Sequence, residues 1–334
     1  MKKLFIFIAL IAVVAVLTAC GEDSTGEKAN AETVNKESVE SSSDSQVEDS
    51  IDNKNIEVTD STGRSVAFEE QPQSFAALSS GDIDILTALG ANVVGRPTSQ
   101  GPVAKELETV EQIGNPHQPN FEKIAEVHPD VMIASASMKA HEANLERQGI
   151  KMVYTAANSV SDIQQTISLV GQLLGKDDDA KSLNDKIDQD LATGKEGLGN
   201  KGTKALLVYG APGTYLAALP NSLSGDLLEL AGGENIASDF PNEDNYPQYA
   251  SLSVEKIIER NPEVVMLITH GDPQAVKAAF EEEMMKNPAW KNLDAVKDGR
   301  VVVLPSDLFG TNPGTRVIEA FNVMKESLEE GAEK

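Results

Sequence analysis

The sequence has one cysteine, one tryptophan and four histidines among 334 residues. A single cysteine makes no internal disulfide. It also excludes zinc fingers and cysteine-ligated iron–sulfur clusters, which need several thiolates. Aromatic residues make up 4% of the chain, too few for a sugar-stacking cleft or an aromatic cage around a quaternary amine. Positive charge is scarce: 28 Lys and Arg stand against 53 Asp and Glu, a formal net charge of −25. A nucleic-acid binder carries a basic stripe, so this balance argues against that role. It also argues against electrostatic docking on anionic lipid. Catalytic signatures are missing too: the chain has no GxSxG elbow, HExxH or P-loop. Gly210-Ala211-Pro212-Gly213 is glycine-rich, but it has neither dinucleotide-binding spacing nor a following lysine. It reads as a loop approached closely by chain or ligand.

What is present begins with an address. Lys2 and Lys3 precede an unbroken apolar run, Leu4 to Leu17, too short to span a bilayer. This is a secretory signal over 1–19. It ends Leu17-Thr18-Ala19-Cys20-Gly21, which matches the bacterial lipobox. Cys20 is then acylated, which consumes the lone thiol, and two or three acyl chains anchor a protein stably. Residues 20–54 follow as a disordered acidic tether; Gly21 to Lys54 holds ten acidic and three basic residues and almost no apolar side chains.

Residues 55–334 alternate short β runs with amphipathic helices, the pattern of an α/β fold. Ile56-Glu57-Val58 and Ser65 to Phe68 read as a hairpin, and Asp82 to Leu89 as a helix stopped by Gly90. Residues 121–133 (FEKIAEVHPDVMI) and 254–266 (VEKIIERNPEVVM) coincide without gaps at an offset of 133. Each is a helix, a Pro just beyond its end, then a buried parallel strand. The repeat predicts two Rossmann-like lobes, 55–160 and 203–334. Helical spacing of Ile163, Ile167, Val170, Leu173 and then Ala180, Leu183, Ile187, Leu191 places linking helices over 161–202.

In open parallel sheets ligands bind beyond the carboxyl ends of the strands, so the cleft lies between the lobes. His270 ends the run Val264 to Thr269 at the C-lobe edge. His117 sits between Pro116 and Pro119 on the N-lobe edge, just before the Glu122 helix. Imidazole binds iron, zinc or copper, or shuttles protons. One histidine per lobe suits trans-axial ligation of a planar iron macrocycle. Met138, just after the N-lobe strand, is the alternative to His117. His128 and His141 read as structural. Four histidines are few for a zinc site, although carboxylates can complete one.

The lipobox, the paired lobes, Val94 to Ser99, Asn120 to Asp130 and Trp290 to Arg300 resemble iron-complex (class III) substrate-binding lipoproteins of ABC importers. The resemblance covers residues 74–330 and is strongest to the IsdE-like haem-binding group. It implies capture of haem, as transported ligand, for delivery to an ABC permease and its ATPase, with no bond-making. In that group a methionine and a histidine hold the iron axially; the methionine position matches His117 here. Bis-histidine ligation by His117 and His270 follows. The resemblance further puts Ser79, Ser80, Arg96, Ser99, Gln100 and Tyr215 around the haem and its propionates. It makes Glu122 and Glu255 equivalent docking carboxylates for the permease subunits. It implies a monomer on the extracytoplasmic face of the cell membrane, fed by a haem-donor protein. A ferric siderophore or cobalamin is the alternative ligand; a metal- or haem-dependent enzyme ranks last.

Overall fold

The computed structural model describes residues 55–99, 103–198, 202–210, 214–269 and 273–329. The signal, Cys20, the tether, Gln100 and His270 lie outside them. Strands β1 (Ile56–Thr59) and β2 (Ser65–Phe68) form the expected hairpin, Ile56 opposite Phe68. Its turn is set by buried Asp60. That carboxylate accepts from the Thr62 and Arg64 amides, the Thr62 hydroxyl and Arg64 Nε. Burial pushes its pKa up, but these bonds outweigh burial and hold it below the usual carboxylate range.

The N-lobe elements follow as β3 (Phe75–Ala77), α1 (Ser80–Ala88), β4 (Val93–Arg96) and β5 (Glu111–Gln112). Next come the small hairpin β6 (Gly114–Asn115) and β7 (Gln118–Pro119), α2 (Phe121–Val127), β8 (Val131–Ser135), α3 (Glu142–Glu146) and β9 (Lys151–Thr155). The sheet order is β5-β4-β3-β8-β9, and every pairing is parallel. A parallel sheet is covered on both faces, which is why β3 and the runs 131–134 and 152–154 are continuously buried. Helix α4 (Val160–Leu174) ends at Gly175 in the left-handed conformation, and α5 (Asp177–Lys195) packs back on it.

The C-lobe elements are β10 (Thr203–Tyr209), β11 (Leu216–Ala218), α6 (Leu223–Leu230), β12 (Gly233–Asn235), β13 (Asn242–Glu243) and β14 (Tyr246–Ser251). The chain continues with α7 (Val254–Arg260), β15 (Val264–Ile268), α8 (Pro273–Met284), α9 (Asp294–Lys297), β16 (Val301–Val303), α10 (Ser306–Phe309) and α11 (Val317–Glu329). Strands β12, β10, β15 and β16 pair in parallel. The strands β11, β14 and β13 extend this sheet antiparallel, an addition the repeat does not foretell.

The duplication extends to details beyond the matched letters. Asn120 caps α2 by accepting from the Lys123 amide; Ser253 caps α7 through the Lys256 amide. His128 and Asn261 end these helices with φ of 42° and 47°. Asp130 Oδ2 accepts from the Gln73 and Ser74 amides beside β3; Glu263 Oε1 accepts from the Lys204 amide of β10. The acid after each proline thus fixes the neighbouring strand. This makes β3 and β10 counterparts.

The two sheets share one apolar layer, in which Phe75 and Ile133 of the N lobe join Leu207, Met266 and Phe321 through α4 and α5. A second contact joins α1 to the loop before α11. Asp84 Oδ2 accepts from the Thr315 amide at 2.7 Å and its hydroxyl at 2.6 Å. Asn312 Nδ2 donates to Asp82 at 3.3 Å. Gly81 is required there: a Cβ would lie 2.3 Å from the Asn312 carbonyl oxygen. Among the described residues no helix is long and apolar enough to cross a membrane.

Candidate functional site

Three of the parallel N-lobe strands, β3, β8 and β9, end at one cavity of about 590 Å³. Leu78 and Ser79 follow β3, Ala134 to Met138 end β8 and continue beyond it, and Thr155 to Asn158 do the same at β9. Ser61 and Thr62 close one side from the first hairpin. Asn245, Pro247 and Gln248, with Asn312, face them from the C-terminal part of the chain. The cavity therefore lies between the lobes, where the sequence puts the cleft. Its volume falls within the range of small-molecule and cofactor pockets.

The wall mixes apolar surface with neutral hydroxyls and amides. Asp82 is the one ionisable side chain among its described lining residues, and it is 3% exposed. Its carboxylate receives the Thr155 hydroxyl at 3.3 and 3.4 Å and Asn312 Nδ2 at 3.3 Å. Burial pushes its pKa up to about 6, against the bonds from Ser79, Thr155 and Asn312 that favour the charged form. Ser79 is the N-cap of α1, accepting from the Asp82 amide.

The expected site residues separate into groups. Ser79 and Met138 line the cavity, and Met138 is buried. Pro116 lines it as well, and His117 follows at the exposed tip of the β6–β7 hairpin. That tip is fixed: Asn115 Oδ1 accepts from the His117 and Gln118 amides at 3.0 Å. Gly114, at φ 94°, leaves no room for a Cβ beside the Gln118 carbonyl. On the opposite lobe β15 ends at Ile268 with Thr269 buried, and position 270 comes next. Ser80 and Ser99 are exposed and not among the lining residues. Arg96 is buried and donates to the Leu107 and Pro97 carbonyls, so it closes the loop after β4 and does not line the cavity. Tyr215 lines a separate C-lobe cavity of about 570 Å³ with Leu216, Tyr246 and Met284. Its ring meets Phe280 edge-on.

Of the remaining histidines, His128 Nε2 lies 2.7 Å from the Gln148 carbonyl and the His141 ring meets Phe121 at a tilt, with centroids 4.7 Å apart. Glu122 and Glu255 are both exposed in the first turns of α2 and α7. Sequence reasoning missed Asp82, Thr155 and Asn312. Ser79-x-x-Asp82 after a buried strand was a signal, but it also describes an ordinary helix start.

Comparisons with known proteins agree with this fold. The family model described as "Periplasmic binding protein" matches residues 75–308. The high-affinity haem uptake system protein IsdE of Staphylococcus aureus (strain Newman) is 31% identical over 228 residues, 67% of this chain and 76% of that protein. The structure of S. aureus IsdE complexed with haem superposes with a TM-score of 0.66 at 27% identity, covering 77% of this chain and 97% of that one. An ABC transporter substrate-binding protein from Listeria monocytogenes EGD-e gives 0.69 at 27% identity, covering 78% and 100%. The strand-end cavity, the two α/β sheets and these matches place the chain in the periplasmic binding protein family, the solute-binding components of ABC importers.

Proposed function

We propose that this protein is a haem receptor, anchored through Cys20 to the extracytoplasmic face of the cell membrane, that hands haem to an ABC permease. The observation that carries the reading is the 31% identity to a haem-uptake protein across 228 residues. The cleft is consistent with it. Its described wall holds no cluster of Lys and Arg, which a polyanionic ferric siderophore would prefer. The Pro116–His117 turn sits at its rim, and Thr269 leads to position 270 at the end of β15. On this reading His117 and His270 supply the two axial nitrogens, and both axial positions close to exogenous chemistry. Imidazole in place of thioether favours ferric iron, because methionine ligation raises the potential.

The test is an absorption titration with ferric haem. The wild type should saturate at one haem per chain with a six-coordinate low-spin spectrum. His117→Ala and His270→Ala should each lose that spectrum. If only His270→Ala loses it, the sixth ligand moves to Met138, which lines the cavity. No saturable binding by the wild type overturns haem in favour of a siderophore.

Glu122 and Glu255 extend the proposal to the permease. They occupy equivalent first turns of α2 and α7, where a carboxylate also complements the helix dipole. Glu122→Ala with Glu255→Ala should abolish haem import and leave haem affinity within about twofold, because neither residue lines the cleft. Normal import by the double variant would remove the docking role.

A further inference from the structure

The cleft poses a charge problem. Haem, the ligand on which this inference rests, carries two propionates. The described wall offers hydroxyls and amides, no cation, and one buried carboxylate. A buried carboxylate ordinarily takes a cationic partner or several short N–H bonds. Asp82 has long contacts to Thr155 and Asn312 at 3.3 to 3.4 Å. The groups that face it are neutral on every side: Ser79 from its own helix, Thr155 from β9 and Asn312 from the C-terminal segment. Asp84 turns away to Thr315, and Asp60 is held by Thr62 and Arg64. Arg316, the nearest base in sequence to Asn312, pairs with Glu319 and Asp307.

We propose that Asp82 is a specificity-determining residue of the cleft that holds a carboxylate of the ligand through a shared proton. The Asp82 hydroxyl then donates to the ligand carboxylate, and where Asp82 is ionised beforehand binding takes up one proton from solvent. Two facing carboxylates cannot both remain ionised in such a site, which raises the proton affinity of the pair. With burial already holding Asp82 near pH 6, the proton is available in weak acid and is withdrawn as pH rises. The sign follows: binding of a carboxylate-bearing ligand weakens above that pH. Ser79 alone does not serve this purpose, because its oxygen already caps α1.

The experiment compares purified wild type with Asp82→Asn. Ferric haem affinity is measured from about pH 5.5 to about pH 8.5. Taking the ratio of the two proteins cancels histidine titration, which both share. The ratio should be near one at the acid end and favour Asp82→Asn by about tenfold or more at the alkaline end. Haem dimethyl ester, whose propionates are esterified, is the second probe. With it the wild type should show no such alkaline deficit relative to the variant. The ester arm also works on wild type alone, by comparing the pH dependence of haem and ester binding. A ratio that stays constant with pH, or an equal pH dependence with the ester, overturns the shared proton and leaves the haem reading intact. No saturable haem binding by either protein overturns the haem reading, and this inference falls with it.

Discussion

Replacing Trp290 with alanine should lower the melting temperature by on the order of 10 °C. Trp290 is 1% exposed and is the largest fully buried side chain of the molecule's described part. It packs edge-on against Phe280 at 5.7 Å between centroids, and Phe280 meets Tyr215 at 5.1 Å. Truncation removes both transfer free energy and the atoms that support this stack. Large-to-small changes of this kind cost about 3–5 kcal/mol. Thermal unfolding followed by circular dichroism checks the size. A change below about 2 °C would mean that the surrounding helices collapse into the space. As the sole tryptophan, Trp290 also reports on the C lobe in the wild type, since its emission arises nowhere else.

Gly81→Ala should be nearly as costly, and by a different route. A methyl at position 81 would sit 2.3 Å from the Asn312 carbonyl oxygen and 2.4 Å from Asn312 Cγ. The first obstacle is backbone, which does not rotate away. Relief requires α1 and the 310–316 segment to separate, weakening the Asp84–Thr315 bonds and the Asn312 contact to Asp82. A cost of about 2–4 kcal/mol is expected from such overpacking. Gly314 lies across the same contact, where a Cβ would meet Asp84 Oδ2 at 2.6 Å and the Gly81 carbonyl at 2.7 Å. Once one substitution has parted the segments, the second meets less resistance. The double variant should therefore cost clearly less than the two single losses added together. Denaturant melts of the three variants measure this; strict additivity would show that the contact does not act as one unit. Gly63→Ala is the control, with open space around it and only its φ of 77° to strain, a cost of about 1 kcal/mol.

Elements held by local rules were legible in the letters. The α4 stripe, the Gly175 stop and the hairpin around Asp60 each follow from spacing or turn chemistry within a few residues. The 133-residue offset revealed α2–β8 and α7–β15 because Pro129 and Pro262 keep both units in register. Strands β11, β13 and β14 were not legible. Strands β11 and β13 are short, Pro247 interrupts the pattern in β14, and only β11 pairs with β10 while β14 and β13 add outward from it. In the site, the strand ends located the cleft. Sequence could not tell that Arg96 would turn to the Leu107 carbonyl, since a guanidinium serves a loop or a ligand equally well. Nor could it find Asp82 and Asn312, which meet across 230 residues.

That separation has a consequence for the order in which the molecule assembles. The N-lobe strands pair over short stretches of chain and can form while the rest is still being made. The α1 surface at Gly81 and Asp84 gains its partner only after residue 315 has emerged, 231 positions beyond Asp84. Closing so long a loop is entropically dear and comes late. The N lobe thus waits with one seam open until residue 315 is made, and that late-closing seam is the one beside the ligand cleft.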